Sequence, residues 1–247
     1  MKLFVHSDRG VLGRVVAADA AAAIRSAESD RGQVTVVVAT GSSQFEVLSE
    51  LAAQPDVPWE RVTLFHLDEY VGVSPTHAAS FRRYLRERFV HRLPTKPAAF
   101  HEIDGEADPH AECRRLAAVV PDAPFDVSLV GIGENGHLAF NDPPADFQAT
   151  EPYLVVSLDE ACRRQQVGEG WFGTLADVPT RAISMSVRRI LESRTIFCSV
   201  PDRRKAEAVR ASVEGPVTPD VPASILQRHA DCRLHVDREA TALLGTR

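Results

Sequence analysis

Short apolar runs alternate with longer amphipathic segments along the whole chain. Val34–Ala39 and Val127–Val130 are short and almost wholly apolar, which is typical of strands buried on both faces of a parallel sheet. Seven further segments have the alternating or β-branched character of strands. They are Lys2–Val5, Val62–Leu67, Phe100–Ile103, Leu154–Leu158, Arg181–Val187, Thr195–Val200 and Cys232–Val236.

Segments with helical character fill the intervals between these strands. Val11–Arg25 is rich in alanine, and Phe45, Leu48 and Leu51 recur on one face of a helix. Further helices are predicted at Ala78–Phe89, Ala107–Val119, Asp159–Gln166, Asp202–Val213, Ser224–His229 and Glu239–Leu244. No linker, repeat or low-complexity tract divides the alternation. The pattern therefore predicts a single α/β domain, residues 1–247, with a mostly parallel sheet and right-handed crossovers.

Composition and charge narrow the class of protein. The 247 residues are 44% hydrophobic and 25% charged, with a formal net charge of −6, which argues against a nucleic-acid partner. The four cysteines form no CxxC pair, a spacing that favours free thiols in a reducing compartment and no structural zinc site. No apolar stretch approaches the roughly 18 residues of a membrane span, and Met1–Val5 is too short for a signal peptide. We therefore expect a cytoplasmic protein without membrane contact.

The stretch from Phe125 to Phe147 concentrates glycines and titratable side chains directly after a buried strand. Gly131, Gly133 and Gly136 allow the backbone to approach a ligand closely. The polar side chains around and after them are Asn135, His137, Asn141 and Asp142. Open α/β sheets build ligand sites on the loops at the carboxyl ends of their strands. Because glycines, polar groups and a strand end coincide, we interpret the stretch as a site; ordinary loop residues are the alternative.

A second strand-end loop, Thr40–Gln44, has the composition of an anion site. Thr40, Gly41, Ser42 and Ser43 follow a buried strand and precede a helix, so that backbone N–H groups, hydroxyls and a helix N-terminus converge. The loop is not a Walker A motif, because no Gly-Lys-Ser/Thr follows. The alternative is that one of the two serines only caps the helix.

Two further strand ends carry charged residues that packing does not require. Asp68 and Glu69 follow Val62–Leu67, and because buried carboxylates are costly this pair is either functional or solvated at the start of a loop. Lys205 lies in the first turn of the helix that Asp202 caps. A cation there opposes the helix dipole unless an anion lies nearby, so the lysine is either a phosphate ligand or a surface residue.

Three motifs together resemble one enzyme family. They are His66-Leu67-Asp68-Glu69-Tyr70-Val71-Gly72, the run GIGENGHLAFNDP from Gly131 to Pro143, and Lys205 through Gly215. In this order, and over nearly the whole chain, they are similar to the glucosamine-6-phosphate deaminase/isomerase family. The related 6-phosphogluconolactonases share the glycines and the histidine, but not typically the first motif or the AFN-acid-Pro ending of the second.

The resemblance implies a Rossmann-like fold of the ribose-phosphate-isomerase and CoA-transferase type, with helices on both faces of the sheet. It implies a deaminating aldose–ketose isomerase, which turns glucosamine 6-phosphate and water into fructose 6-phosphate and ammonia without a metal or an organic cofactor. The binding partner is then a small sugar phosphate. A homo-oligomer is possible.

The resemblance also implies roles for individual residues. Asp68 matches the general base that moves a proton between C2 and C1, and His137 matches the acid and base of ring opening. Asp142 matches the carboxylate that orients the histidine, and Asn135 occupies the remaining catalytic position. The implied substrate-binding residues are Thr40, Gly41, Ser42, Ser43, Glu69, Gly133, Gly136 and Lys205. The residue types suit this chemistry, because tautomerisation needs a carboxylate over two carbons and ring opening needs a group that titrates near neutral pH.

The chain departs from the family pattern at three places. Asn135 stands where the family usually has Asp, and Asp142 where it usually has Glu. The arginine of a TR…RFF-like segment has no clear counterpart; the turn Gly168–Gly173 stands there, as either a flap or a loop pinned to the core. Two alternatives to the deaminase follow. One is a lactonase acting on a sugar-phosphate lactone, and the other is a phosphosugar-binding protein with weakened catalysis, whose Asn135→Asp variant would gain activity.

Overall fold

The computed structural model describes residues 1–245. The strands are β1 (Lys2–His6), β2 (Val34–Val38), β3 (Val62–His66), β4 (Asp68–Tyr70), β5 (Ala99–His101), β6 (Val127–Val130), β7 (Tyr153–Ser157), β8 (Arg181–Met185), β9 (Thr195–Val200) and β10 (Cys232–Asp237). The α-helices are α1 (Arg9–Arg31), α2 (Phe45–Ala52), α3 (Phe81–Arg88), α4 (Pro109–Val119), α5 (Glu160–Gly168), α6 (Val187–Leu191) and α7 (Ala206–Glu214).

Seven parallel strands form the main sheet, in the order β1-β10-β9-β6-β2-β3-β5. From the central strand β2, the strands β3 and β5 follow towards one edge of the sheet. From its neighbour β6, the strands β9 and β10 follow towards the other edge. Because β2 and β6 are neighbours, the topological switch point lies between them. Strands β4, β8 and β7 form a separate antiparallel sheet. The prediction of a Rossmann-like, mostly parallel α/β fold is confirmed.

Consecutive residues of the central strands pack into different apolar cores, because side chains alternate across a sheet. Val36 and Val38 of β2 lie in one core with residues of α1, α2 and α3. Val37 lies in the other core, with residues of α4, α6 and α7 and with Tyr153 and Ile183 of the antiparallel sheet. Helices therefore cover both faces of the main sheet, as predicted.

The structure differs from the predicted elements at three places. Asp68–Tyr70 is a strand that pairs with β8, and it tolerates the buried Glu69 because this carboxylate meets hydrogen-bond donors in the interior. Val187–Leu191 is a helix, which begins where the Ser186 side chain caps its first turn. The predicted closing helix is only the single turn Glu239–Thr241. Within residues 1–245, no helix combines the length and the apolar character that crossing a bilayer would need.

Candidate active site

A cleft of about 570 Å³, open to solvent on one side, lies outside the carboxyl ends of β2, β3, β6 and β9. It therefore lies at the switch point of the main sheet, where open α/β proteins bind their ligands. Eight of the twelve predicted site residues line it. They are Thr40, Gly41, Ser42, Ser43, Asp68, Gly133, His137 and Lys205.

The Thr40–Ser43 loop faces the cleft in the form of an anion cradle. Gly41 adopts φ +95°, which favours glycine, and its carbonyl accepts hydrogen bonds from the Gln44 N–H and the Tyr84 hydroxyl. Neither serine side chain caps the following 3₁₀ turn or α2. The helix-cap alternative is therefore excluded, and the serine hydroxyls stand beside the backbone N–H groups that would bind an anion.

Lys205 lines the same cleft and is only 5% exposed. Its ammonium group has no hydrogen-bond or ion-pair partner among the described residues. Burial lowers the pKa of Lys205, and the carboxylates of Glu169 and Glu134 offset this only in part. The alternative of a surface lysine is thus excluded. Because a buried cation without a partner is costly, its position indicates an anionic ligand.

Asp68, the first residue of β4, is 7% exposed and lines the cleft. Burial raises the pKa of its carboxyl well above the usual value of 3.8, and the neighbouring Glu69 raises it further. No donor in the described part of the chain hydrogen-bonds to this carboxylate. Asp68 therefore has the raised proton affinity that a general base needs to work near neutral pH.

Glu69 is turned away from the cleft, although it follows Asp68 in the sequence. It is fully buried. Its carboxylate accepts hydrogen bonds, 2.9–3.2 Å long, from the N–H groups of Tyr70, Phe81 and Arg82 and from the hydroxyl of Ser80. Three of these donors lie at the start of α3, so Glu69 anchors that helix to β4. Asp68 lines the cleft and Glu69 does not, because successive residues of a strand point to opposite faces, and the substrate contact of Glu69 stays a prediction.

His137 lines the cleft and faces Asp142 with one ring nitrogen. Its Nδ1 lies 3.2 Å from Asp142 Oδ1, close but not aligned for a good hydrogen bond, which leaves Nε2 for the cleft. Burial alone would raise the pKa of Asp142. Contacts with His137, the Asn135 amide and the Asp159 N–H outweigh burial and hold this pKa below its usual value. Asp142 is therefore an anion beside the imidazole, and its shorter side chain still reaches the ring.

Asn135 and Gly136 lie behind the imidazole and do not line the cleft. The Asn135 Nδ2 donates to Asp142 Oδ1 and to Asp159 Oδ2, each at 3.0 Å, and its Oδ1 accepts from the His137 N–H at 3.1 Å. Gly136 adopts φ +84° in the turn that leads into His137. Both residues shape the loop that carries the imidazole, and the catalytic role of Asn135 and the substrate contact of Gly136 stay predictions.

Gly133 packs directly under the His137 ring, and a Cβ added at this position would overlap three ring atoms. Because the ring is the movable end of a side chain, we expect Gly133→Ala to fold with a nearly unchanged Tm but with a displaced imidazole. The turnover number should fall roughly 10- to 100-fold. Gly168→Ala is the matched control, since its added Cβ meets no atom within 4 Å. Equal rates for the two variants would contradict this role of Gly133.

Cys162 lies beside the His137–Asp142 pair. Its Sγ, the histidine nitrogen and an Asp142 oxygen lie within 4.8 Å of one another, a set of ligand types that suits a soft metal ion. Burial raises the pKa of the Cys162 thiol, and the carboxylates of Asp142 and Asp159 raise it further, so the sulfur stays protonated. Both oxygens of Asp142 already accept hydrogen bonds. The group therefore fits a hydrogen-bonded network better than a metal site.

Three polar residues of the cleft were not predicted from the sequence: Gln165, Gln166 and Glu169, at the end of α5. The Tyr70 hydroxyl donates to Gln166 Oε1 at 2.7 Å, and Gln165 Nε2 donates to a Glu169 oxygen at 2.8 Å. Polar residues on a short helix are typical of a solvated face. Their place in the cleft follows only from the docking of α5 beside it. In the sequence, the one feature that singled out this segment was its departure from the family pattern.

The glycine-rich segment 168–173 is pinned to the core by its two aromatic residues. Trp171 packs edge-on against Phe45 and Tyr84, and Phe172 packs against Tyr70. The Trp171 indole N–H also donates to Glu169 at 3.2 Å. Of the two alternatives for this segment, the contacts match the pinned loop.

Fold and cleft together define a class of protein: an α/β protein with an open cleft where the strand order of a parallel sheet reverses, lined by a buried lysine, a carboxylate and an imidazole. The model of one family, described as glucosamine-6-phosphate isomerases/6-phosphogluconolactonase, matches residues 7–235. The chain belongs to this family.

Curated relatives and solved structures agree with the family. The chain is 41% identical over 212 residues to a glucosamine-6-phosphate deaminase of Exiguobacterium sibiricum, covering 86% of this chain and 82% of that protein. A glucosamine-6-phosphate deaminase of Streptococcus pneumoniae is 36% identical, with coverages of 86% and 89%. The structure of a monomeric glucosamine-6-phosphate deaminase superposes with a TM-score of 0.90 at 31% identity, covering 98% and 100% of the two chains. A 6-phosphogluconolactonase of Thermotoga maritima shares the fold at a TM-score of 0.79 and 16% identity, with coverages of 96% and 99%.

Proposed function

We propose that this protein is a glucosamine-6-phosphate deaminase, which converts glucosamine 6-phosphate and water into fructose 6-phosphate and ammonia. One observation carries the proposal: Asp68 and His137 line the same cleft as the Thr40–Ser43 loop and Lys205. A phosphate anchored at the loop and the lysine would orient a six-carbon sugar beside both side chains. The curated relatives that cover most of the chain support this substrate.

His137 opens the sugar ring in this proposal. The imidazole removes the proton from the C1 hydroxyl and delivers it to the ring oxygen as the bond between C1 and that oxygen breaks, which leaves an aldehyde. The step needs a group that both accepts and donates a proton near neutral pH, as imidazole does. The Asp142 carboxylate, 3.2 Å from Nδ1, is the anion that the ring faces while the proton is in transit.

Asp68 then performs the isomerisation. Its carboxylate removes the proton from C2 of the open-chain aldehyde as the aldehyde oxygen takes up a proton, which gives an enolamine. The carboxylate then returns the proton to C1 while the nitrogen loses one, and the product is an imine at C2. Water adds to C2 and ammonia leaves, which yields the ketone of fructose 6-phosphate. A buried carboxylate without hydrogen-bond donors is a stronger base than an exposed one, which suits the removal of a weakly acidic C–H proton.

The position of Asp68 favours the deaminase over a lactonase. Hydrolysis of a sugar-phosphate lactone requires activation of water and a phosphate cradle, but no carboxylate that serves two neighbouring carbons. In a lactonase a buried Asp68 would only destabilise the protein. The 6-phosphogluconolactonase structures that resemble this chain do so at 15–20% identity, which concerns the fold alone.

A coupled assay tests the proposal. Ammonia release and fructose 6-phosphate formation should rise together, in equal amounts, when the protein is incubated with glucosamine 6-phosphate. Glucosamine without phosphate should react far more slowly, because the anion cradle stays empty. The panel should include galactosamine 6-phosphate and 6-phosphogluconolactone. Turnover of the lactone without ammonia release from either amino sugar would overturn the proposal in favour of the lactonase.

A further inference from the structure

The Asn135 amide is a neutral bridge between two carboxylates. Its Nδ2 carries two hydrogens, and one points to Asp142 Oδ1 while the other points to Asp159 Oδ2, at 3.0 Å each. Its oxygen accepts from the His137 backbone. The full hydrogen-bonding capacity of the NH₂ group is therefore used to hold two anions on either side of one amide.

Asp159 takes part in this network through both its backbone and its side chain. Its N–H donates to Asp142 Oδ2 at 2.9 Å, so that Asn135 and Asp159 each hold one oxygen of Asp142. Its own carboxylate caps α5 by accepting from the Cys162 N–H, and with its second oxygen it accepts from Asn135. Asp159 thus joins the start of α5, the helix that brings glutamines to the cleft, to the carboxylate that faces His137.

We propose that Asp159 is a positioning residue of this site: through the Asn135 amide it fixes the Asp142 carboxylate and, with it, the His137 imidazole. This role rests on the proposed deaminase function. It gives Asn135 a reason to be an amide, because a third carboxylate at position 135 would lie at hydrogen-bond distance from two others, without a proton between them. The contacts therefore predict that Asn135→Asp lowers activity, the opposite of what the weakened-catalysis alternative expects.

The first test is the Asp159→Asn variant. Asparagine caps a helix as well as aspartate does, so α5 should still begin at the same residue. With its single side-chain oxygen committed to that cap, the new amide at position 159 would present its N–H donors to the donors of Asn135. We expect kcat to fall roughly tenfold, with KM changed by less than about twofold, since no group that contacts the phosphate has moved.

The second test is a reversal of sign in the double variant. Asn135→Asp alone places three carboxylates in a row and should lower both kcat and Tm. Adding Asp159→Asn removes the outer charge and gives the new carboxylate at position 135 an amide donor. The double variant should therefore exceed Asn135→Asp in both kcat and Tm, so that the same change at position 159 is harmful in one background and beneficial in the other.

Asp108→Asn is the matched control. Asp108 caps α4 in the same way, through the Ala111 N–H, and is exposed and outside the cleft. The effect of Asp108→Asn on kcat and Tm should be small, and it should be the same whether position 135 is Asn or Asp. The proposal is overturned if Asp159→Asn lowers kcat by the same factor in both backgrounds and lowers Tm by the same number of degrees in both. The Tm measurements need no substrate, so a sign reversal in Tm supports the bridge even if the wild type releases no ammonia, and the two proposals can fail separately.

Discussion

The Asp68→Asn variant is expected to lose turnover of glucosamine 6-phosphate by roughly 10²- to 10⁴-fold, with a KM close to that of the wild type. The amide has nearly the same shape as the carboxylate but cannot accept the C2 proton. The phosphate cradle and Lys205 are unchanged, so substrate should still bind. The measurement is the coupled ammonia assay, with loss of the C2 deuteron from labelled substrate as a direct readout of proton removal.

The same variant is expected to be more stable than the wild type at pH 7. Because the pKa of Asp68 is raised in the folded protein, the native state holds the proton more tightly than the unfolded chain does. The free energy of unfolding therefore falls as pH rises above the usual pKa of 3.8, and this loss is present at neutral pH. Asparagine removes it, so the gain in Tm should shrink as pH is lowered to about 4.

Glu69→Gln is the matched control at the neighbouring position. Burial raises the pKa of Glu69 too, and its hydrogen bonds offset this only in part, but donors converge on both of its oxygens, so an amide nitrogen there would face N–H groups. We expect a lower Tm and a turnover number within about tenfold of wild type. The two adjacent changes should thus act in opposite directions on stability. If Asp68→Asn keeps wild-type turnover, or if it lowers Tm, the assignment of a buried general base is wrong.

The pair Asp68–Glu69 also shows how far the sequence could predict the site. Both residues could be placed at a strand end from the apolar run before them, and the strand-end position was enough to bring Asp68 to the cleft with His137. Which of the two carboxylates faces the cleft depends on whether residues 68–70 continue as a strand, because side chains then alternate between two faces. That strand forms by pairing with β8, more than a hundred residues later in the chain, and no local pattern encodes the pairing.

Asn135 illustrates the same limit for polar networks. Its place beside His137 followed from the sequence, since the two are separated by a single residue. Its bridge to Asp159 depends on a contact across 24 positions, between a loop of the main sheet and the start of α5. Local periodicity predicts elements well because it reports which face is buried. It carries no information on how a polar helix end docks, so the role of α5 in the cleft appeared only in the structure.

The Lys205→Met variant is expected to lose kcat/KM for glucosamine 6-phosphate by roughly 10²- to 10³-fold, mainly through KM. Methionine fills similar space without a charge, and the cleft has no other buried cation among its lining residues within the part of the chain described here. Inorganic phosphate is the simplest probe of this site. It should raise the Tm of the wild type in a concentration-dependent manner, and it should have little effect on the variant.

Without ligand, the Lys205→Met variant should be more stable than the wild type. Burial lowers the pKa of Lys205 below its usual value of 10.5, so the folded state binds the proton less tightly than the unfolded chain. The resulting destabilisation is present at all pH values below the folded pKa and is relieved as pH rises towards 10.5. The Tm advantage of the variant should therefore decline as the pH rises towards 10.5. Lys96→Met, at an exposed lysine, is the matched control and should change neither phosphate binding nor Tm appreciably. A Lys205→Met protein that phosphate stabilises as strongly as the wild type would place the anion elsewhere, and the orientation of the sugar towards Asp68 and His137 would lose its physical basis.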